Sequence, residues 1–262
     1  MKLDLYQIDA FTDKMFKGNP ACVIPLVKWL PDNILLNIAK KNRVAETAFF
    51  IKKDKNFCLR WFTPEIEMDL CGHATLAAAH CLKEILNYKN DKIIFETLSG
   101  ELTVAFEKDY YLMDLPSRIP FSSELPKVIL KALNILPDKV YKSRDYLLVY
   151  KNEDVIKNIE INKQIFDQIN LDPGGVIVTS KGKNCDFVSR YFTPQSSILE
   201  DPVTGSSHCS LTPFWAKRLK KENLIAHQIS KRGGSIKCFN NGNRVLIGGK
   251  AKTYFIGKIE SN

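Results

Sequence analysis

The chain repeats itself, and that restricts its fold more than any other feature. Trp61-Phe62-Thr63-Pro64 is answered about half a chain later by Tyr191-Phe192-Thr193-Pro194, and each is followed downstream by a glycine opening a helix, Gly72-His73 and then Gly205-Ser206. A repeat this long is no solenoid period, so two related domains facing each other are expected. The element order supports the division. The first half reads as strands at 2–8 and 21–26, a helix at 32–41 with Asp32 as N-cap, strands at 44–51 and 57–62, a helix from 72 to 88, and strands at 92–97, 101–107 and 110–115. The second half runs in a similar order: a helix at 123–134, a strand region at 140–150, a helix at 161–169, strands at 175–180 and 185–192, a helix at 205–221, then strands at 226–231, 235–239 and 243–249. Pro116 to Pro120 reads as the linker. The domains are therefore expected at 1–116 and 117–262, in the mixed α/β (α+β) class.

Composition removes several function classes. Seven scattered cysteines are an odd number without a Cys-x-x-Cys pair, which favours reduced buried thiols over a disulfide framework. They and the four histidines show no metal-ligand spacing, so no metal is expected. No apolar run is long enough for a transmembrane helix, and the N-terminus enters strand-like sequence without a leader, so a soluble cytoplasmic protein is expected. The formal charge of +9 invites a nucleic-acid reading. The lysines nevertheless sit in turns or at the end of a helix (Lys217, Arg218, Lys220, Lys221) without interleaved aromatics, which describes a solvated surface.

The chemistry is expected where the two glycine-opened helices begin. Glycine lets the backbone approach a ligand closely, and the first-turn N–H groups have no intrahelical partners and carry partial positive charge. One such helix start is accounted for by ordinary capping; two of them, facing one cleft, suit a carboxylate and the charge that develops when a neighbouring C–H is lost. Glu46 is a lone carboxylate in Val44-Ala45-Glu46-Thr47-Ala48-Phe49-Phe50, read either as a solvent-facing strand residue or as a partly desolvated group with a raised pKa suited to proton exchange with carbon. His73, in the first helical turn, is either a packed or capping histidine or a donor to a substrate oxygen. Asp201 is either a loop-forming Asp-Pro or a group that orients a substrate amine or hydroxyl.

These segments resemble the PhzF-like family, named for the phenazine-biosynthesis isomerase and related in fold to diaminopimelate epimerase. The resemblance rests on Asp9-Ala10-Phe11-Thr12, Gly18-Asn19-Pro20-Ala21, Ala45-Glu46-Thr47-Ala48-Phe49, the run Cys71 to His80 and Glu200-Asp201-Pro202-Val203-Thr204-Gly205-Ser206, which in order cover the chain from end to end. It implies two domains, each a mostly antiparallel sheet curled around a central helix, with the active site between them, a homodimer and no cofactor. It further implies Glu46 as the proton shuttle, His73, Asp201 and Ser206 lining the site, and the backbone of Gly72 and Gly205 holding a substrate carboxylate, with Asn19 beside them. Related epimerases use two opposed cysteines. Cys71 matches the first, but no cysteine precedes Gly205, so Cys71 is read as a small buried residue. Ser207 stands where much of the family has alanine, a change expected to alter pocket polarity. The resulting expectation is an isomerase moving a proton on a small carboxylate-bearing molecule. An amino-acid racemase or epimerase, and a non-catalytic small-molecule binding protein, are the alternatives.

Overall fold

The computed structural model describes residues 1–260 and divides into two compact units. The first contains residues 1–115 and the stretch from Ile247 onward; the second is Pro116–Leu246.

In the first unit the chain forms β1 (Lys2–Ala10), β2 (Asn19–Leu26), α1 (Asp32–Asn42), β3 (Glu46–Lys53), β4 (Asn56–Phe62), β5 (Glu67–Met68), α2 (Gly72–His80), β6 (Lys92–Thr97), β7 (Gly100–Glu107) and β8 (Tyr110–Pro116). β1 and β2 pair antiparallel, β2 and β3 parallel, β3 and β4 antiparallel, β4 and β6 parallel, and β6, β7 and β8 antiparallel. Every residue of α2 is buried, and the helix contacts β1, β2 and β3. Ala74, Ala77, Ala78 and Ala79 keep it thin enough for strands to close around it. Outside the sheet, α1 buries Leu35, Ile38 and Ala39 against Leu5, Ile24 and Phe49.

The second unit contains β9 (Phe121–Ser122), α3 (Lys127–Ala132), β10 (Lys139–Lys142), β11 (Tyr146–Val149), α4 (Glu153–Lys157), α5 (Lys163–Phe166), β12 (Val176–Lys181), β13 (Phe187–Phe192), β14 (Glu200–Asp201), α6 (His208–Leu219), β15 (Asn223–Gln228) and β16 (Gly234–Asn241). Its pairings follow the same sequence: β10–β11 antiparallel, β11–β12 parallel, β12–β13 antiparallel, β13–β15 parallel, β15–β16 antiparallel. The largely buried α6 packs on β15 and β16, with Trp215 stacked on Phe187 and its indole N–H donating to Thr179 Oγ1 at 3.0 Å. On the other side, α3, α4 and α5 cover a second cluster built from Ile129, Leu148, Ile156, Phe166 and Val178.

The repeated tetrapeptide is the core of a repeated module. Phe62 is paired with Glu67 across β4 and β5, and Phe192 with Glu200 across β13 and β14. Arg60 makes two hydrogen bonds to Glu67 at 2.6 and 2.7 Å, as Arg190 does to Glu200 at 2.7 and 3.0 Å. Each guanidinium also lies over its phenylalanine, 5.1 Å from Phe62 and 4.9 Å from Phe192.

The remaining strands are β17 (Arg244–Gly249) and β18 (Ala251–Glu260). β18 pairs with β1 along its whole length, Lys2 opposite Glu260 and Ala10 opposite Ala251. This corrects the expected division at 117–262: the chain leaves the first unit at Leu115 and returns to it at Ile247.

Other boundaries differ for local reasons. Pro31, not Asp32, occupies the N-cap of α1; Asp32 lies in the first turn and accepts from Arg60 Nη2 at 2.9 Å. The helix from 72 changes to a π-turn over Cys81–Ile85 after His80, whose ring nitrogens lie 2.8 Å from Tyr111 Oη and 2.9 Å from Thr253 Oγ1. The 140–150 strand is broken into two by a turn at Ser143. Helix α6 begins at His208, with Gly205 to Ser207 forming the turn that leads into it. Among the described residues no helix is long and apolar enough to cross a membrane. All seven cysteines are free thiols, Cys58 and Cys185 partly exposed and the rest buried.

Candidate active site

In the first unit the strand order brings Glu46, His73 and Cys71 together. Glu46 opens β3 opposite Ala21, and its side chain keeps 16% of its surface exposed. Gly72 and His73 open α2, with Cys71 as N-cap in extended conformation, φ −136°. His73 Nε2 lies 3.0 Å from Glu46 Oε2, and Cys71 Sγ lies 3.6 Å from His73 Nδ1. Thr75 secures the start of the helix by donating from both N–H and hydroxyl to the Cys71 carbonyl. Asn19 is fully buried at the first position of β2, where Gly18 (φ +70°) makes the turn. A Cβ on Gly18 would lie 2.2 Å from the Ala10 carbonyl oxygen, which makes glycine necessary in that motif.

The three side chains act on one another's protonation. Burial disfavours the His73 imidazolium, but the neighbouring Cys71 sulfur and Glu46 carboxylate outweigh it and hold the ring's pKa well above the ordinary histidine value. Burial, with Glu46 adding to it, pushes the Cys71 thiol up to about 11. Cys71 is therefore a protonated thiol beside a ring that holds its own proton, not a thiolate base. The ligand atoms of Glu46, Cys71 and His73 lie within 4.8 Å of one another, close enough to hold a metal ion. As they stand, the thiol meets Nδ1 and the carboxylate meets Nε2, so no single ring nitrogen presents both. The three groups form one contiguous row, with the carboxylate at its accessible end.

In the second unit Asp201 lies in β14 with its carboxylate accepting from the Thr204 hydroxyl. Gln228 braces this loop, its side-chain amide donating to the Asp201 carbonyl at 2.7 Å and accepting from the Thr204 N–H at 2.8 Å. Gly205 and Ser206 follow, both buried. Ser207 is expected to alter pocket polarity by its departure from alanine; instead its hydroxyl donates to the Thr204 carbonyl at 2.8 Å, inside the turn. His208 Nδ1 reaches the same carbonyl at 2.8 Å, and burial lowers its pKa to about 4, so the ring is neutral.

Sequence reasoning missed one group here. Ser206 Oγ accepts from Arg144 Nη2 at 3.1 Å, and Arg144 is paired with the buried Asp145. The available signal is the Arg144-Asp145 pair inside the strand-like 140–150 segment.

The fold is epimerase-like, and relatives 41–45% identical to the chain are named isomerases, which makes this an isomerase of that fold. The chain belongs to the PhzC-PhzF family, described as phenazine biosynthesis-like protein, whose model matches residues 8–257. An uncharacterized isomerase of Pseudomonas aeruginosa is 45% identical over 260 residues, covering 99% of each chain. The crystal structure of a PhzF-family phenazine biosynthesis protein from Enterococcus faecalis shares 42% identity and a TM-score of 0.93, covering 100% of both chains. A predicted epimerase of Pseudomonas aeruginosa, at 17% identity, has a TM-score of 0.76 over 99% of this chain and 100% of its own, a likeness of fold alone.

Proposed function

We propose that this isomerase catalyses a cofactor-independent proton shift on a small carboxylate-bearing substrate, with Glu46 as the general acid/base. The observation that carries the reading is the Glu46 carboxylate, partly accessible and 3.0 Å from a histidine whose other nitrogen meets a thiol. In the reaction a C–H bond at an allylic or α carbon breaks, its proton passes to the Glu46 carboxylate, and the electron pair delocalises into the conjugated system. Protonated Glu46 then delivers a proton to another carbon, part of it exchanged with solvent at the partly accessible carboxylate, so no external acid or base is consumed. His73, held protonated beside Glu46, stabilises the anion while it lasts. The first-turn amides of Gly72 and the Gly205–Ser206 turn are the proposed carboxylate binders, with Asn19 and Asp201 orienting the remainder of the substrate.

The repeat supports a single base. Thr47 pairs with Phe62 and Val176 with Phe192, so the counterpart of Glu46 in the second unit is Gly175. By the register of β5 and β14, Cys71 corresponds to Thr204. Neither a second carboxylate nor a second thiol is available at the equivalent positions, which disfavours two-base racemisation.

The decisive variant is Glu46→Gln, which keeps the shape and removes the basicity. Turnover of a responsive carboxylate is expected to fall by about 10³-fold or more, with the thermal transition retained. An active Gln variant rules the assignment out. The reading includes a homodimer, which the family resemblance implies, and a cytoplasmic setting; a light-scattering mass of one chain counts against the dimer.

A further inference from the structure

The two units differ in charge at equivalent places. The pairing of Cys22 with Thr47 and of Tyr146 with Val176 makes Asp145 the counterpart of Ala21 and Arg144 the counterpart of Pro20. His73 and Ser206 correspond in the same way, each following the glycine at its helix start. In the first unit, then, the helix-start side chain is engaged by a carboxylate, Glu46. In the second it is engaged by a guanidinium, Arg144.

That guanidinium is fixed with care. Its Nε and Nη2 donate to Asp145 Oδ1 and Oδ2 at 3.2 and 3.1 Å, and its side chain is only 13% exposed. Asp145 is fully buried and also accepts from the Tyr191 hydroxyl at 2.9 Å and the Gly175 N–H at 3.0 Å. Gly175 is required for this arrangement, because a Cβ there would lie 2.7 Å from the Tyr191 hydroxyl and ring. The network converges on Ser206 Oγ. Since that oxygen accepts from Arg144, its one proton is turned away from the guanidinium, toward whatever acceptor a ligand brings. Arg118 donates its backbone N–H to the Cys209 carbonyl at 2.9 Å, and its Nη1 is buried without a hydrogen-bond partner.

We propose that Arg144 is a positioning residue that makes the Ser206 hydroxyl a dedicated donor to the substrate carboxylate. The proposal rests on the reading of Ser206 as a carboxylate binder and names the device that gives it that role.

The test is calorimetric binding of benzoate and anthranilate, each against its primary amide, to the full chain. Wild type is expected to prefer the acids. Ser206→Ala, which deletes one buried hydroxyl and no charge, is expected to weaken the acids by about 10-fold and the amides by less than about 2-fold. Arg144→Lys keeps the charge but not the fork; it is expected to weaken the acids in wild type and to have no further effect on a Ser206→Ala background. Equal loss in both backgrounds would make Arg144 a structural residue only, and no acid preference in wild type would overturn the subsite itself. Glu46→Gln serves as the control, being expected to retain acid binding. Loss of proton transfer in that variant bears on Glu46 alone, so the two readings can fail separately.

Discussion

At the scale of single residues, the buried histidines pull stability in opposite directions with pH. Burial lowers His80, with Lys252 adding to it, and also lowers His208, each to about 4. Unfolded histidines take up protons near pH 6.5, so these two contribute stability that is full above that value and lost as pH falls from about 6.5 toward 4. His73 has the reverse sign: its raised pKa contributes stability that is full below about 6.5 and lost as pH rises through its folded value. The melting temperature is therefore expected to fall between pH 6.5 and 4, and His80→Gln to flatten that slope, by up to roughly 3 kcal/mol at the acid end. An unchanged slope in the variant would remove His80 from the explanation. Glu46 and His73 were visible in the sequence because each interrupts a small or apolar run. Arg144 and Asp145 were not, because a charged pair within a strand-like segment looks like a solvated face until the chain is seen to turn there.

At the scale of elements, the repeated Arg–Glu module makes a quantitative comparison possible. Arg60 answers Glu67 and the exposed Asp32, whereas Arg190 answers Glu200 and also donates through Nη1 to the carbonyls of Ile156 and Ile159 at 3.0 and 2.8 Å. Arg190 thus satisfies the end of α4 as well as β14. Arg190→Ala is expected to cost about 3 kcal/mol and Arg60→Ala about 1–2 kcal/mol in urea denaturation, the excess coming from orphaned carbonyls. Equal costs would show that the contacts with α4 contribute nothing. The aromatic-Phe-Thr-Pro repeat was legible from sequence, and it marked this module. Its arginines and glutamates lie on both sides of a loop, and only the strand register makes them partners.

At the scale of the whole molecule, the repeat implied two similar units but not how the chain is shared between them. The return of residues 251–260 to pair with β1 had no strong signal, since β18 is largely exposed and its sequence interrupts apolar/polar alternation with the run Tyr254-Phe255-Ile256. Deleting residues 251–262 leaves the outer edge of β1 without its partner. The expected outcome is loss of cooperative melting in the first unit, followed by hydrogen exchange of α2 and β1 amides, with β12 and β13 still protected. Protection retained in β1 would contradict the pairing. The account as a whole depends on Glu46 as the carrier of the proton. Its most direct test is mass-spectrometric deuterium uptake from D₂O into a bound carboxylate substrate, compared between wild type and Glu46→Gln at matched occupancy. Wild type is expected to exchange and isomerise while the Gln variant binds without doing either. Exchange at wild-type rate in the Gln variant would contradict the account.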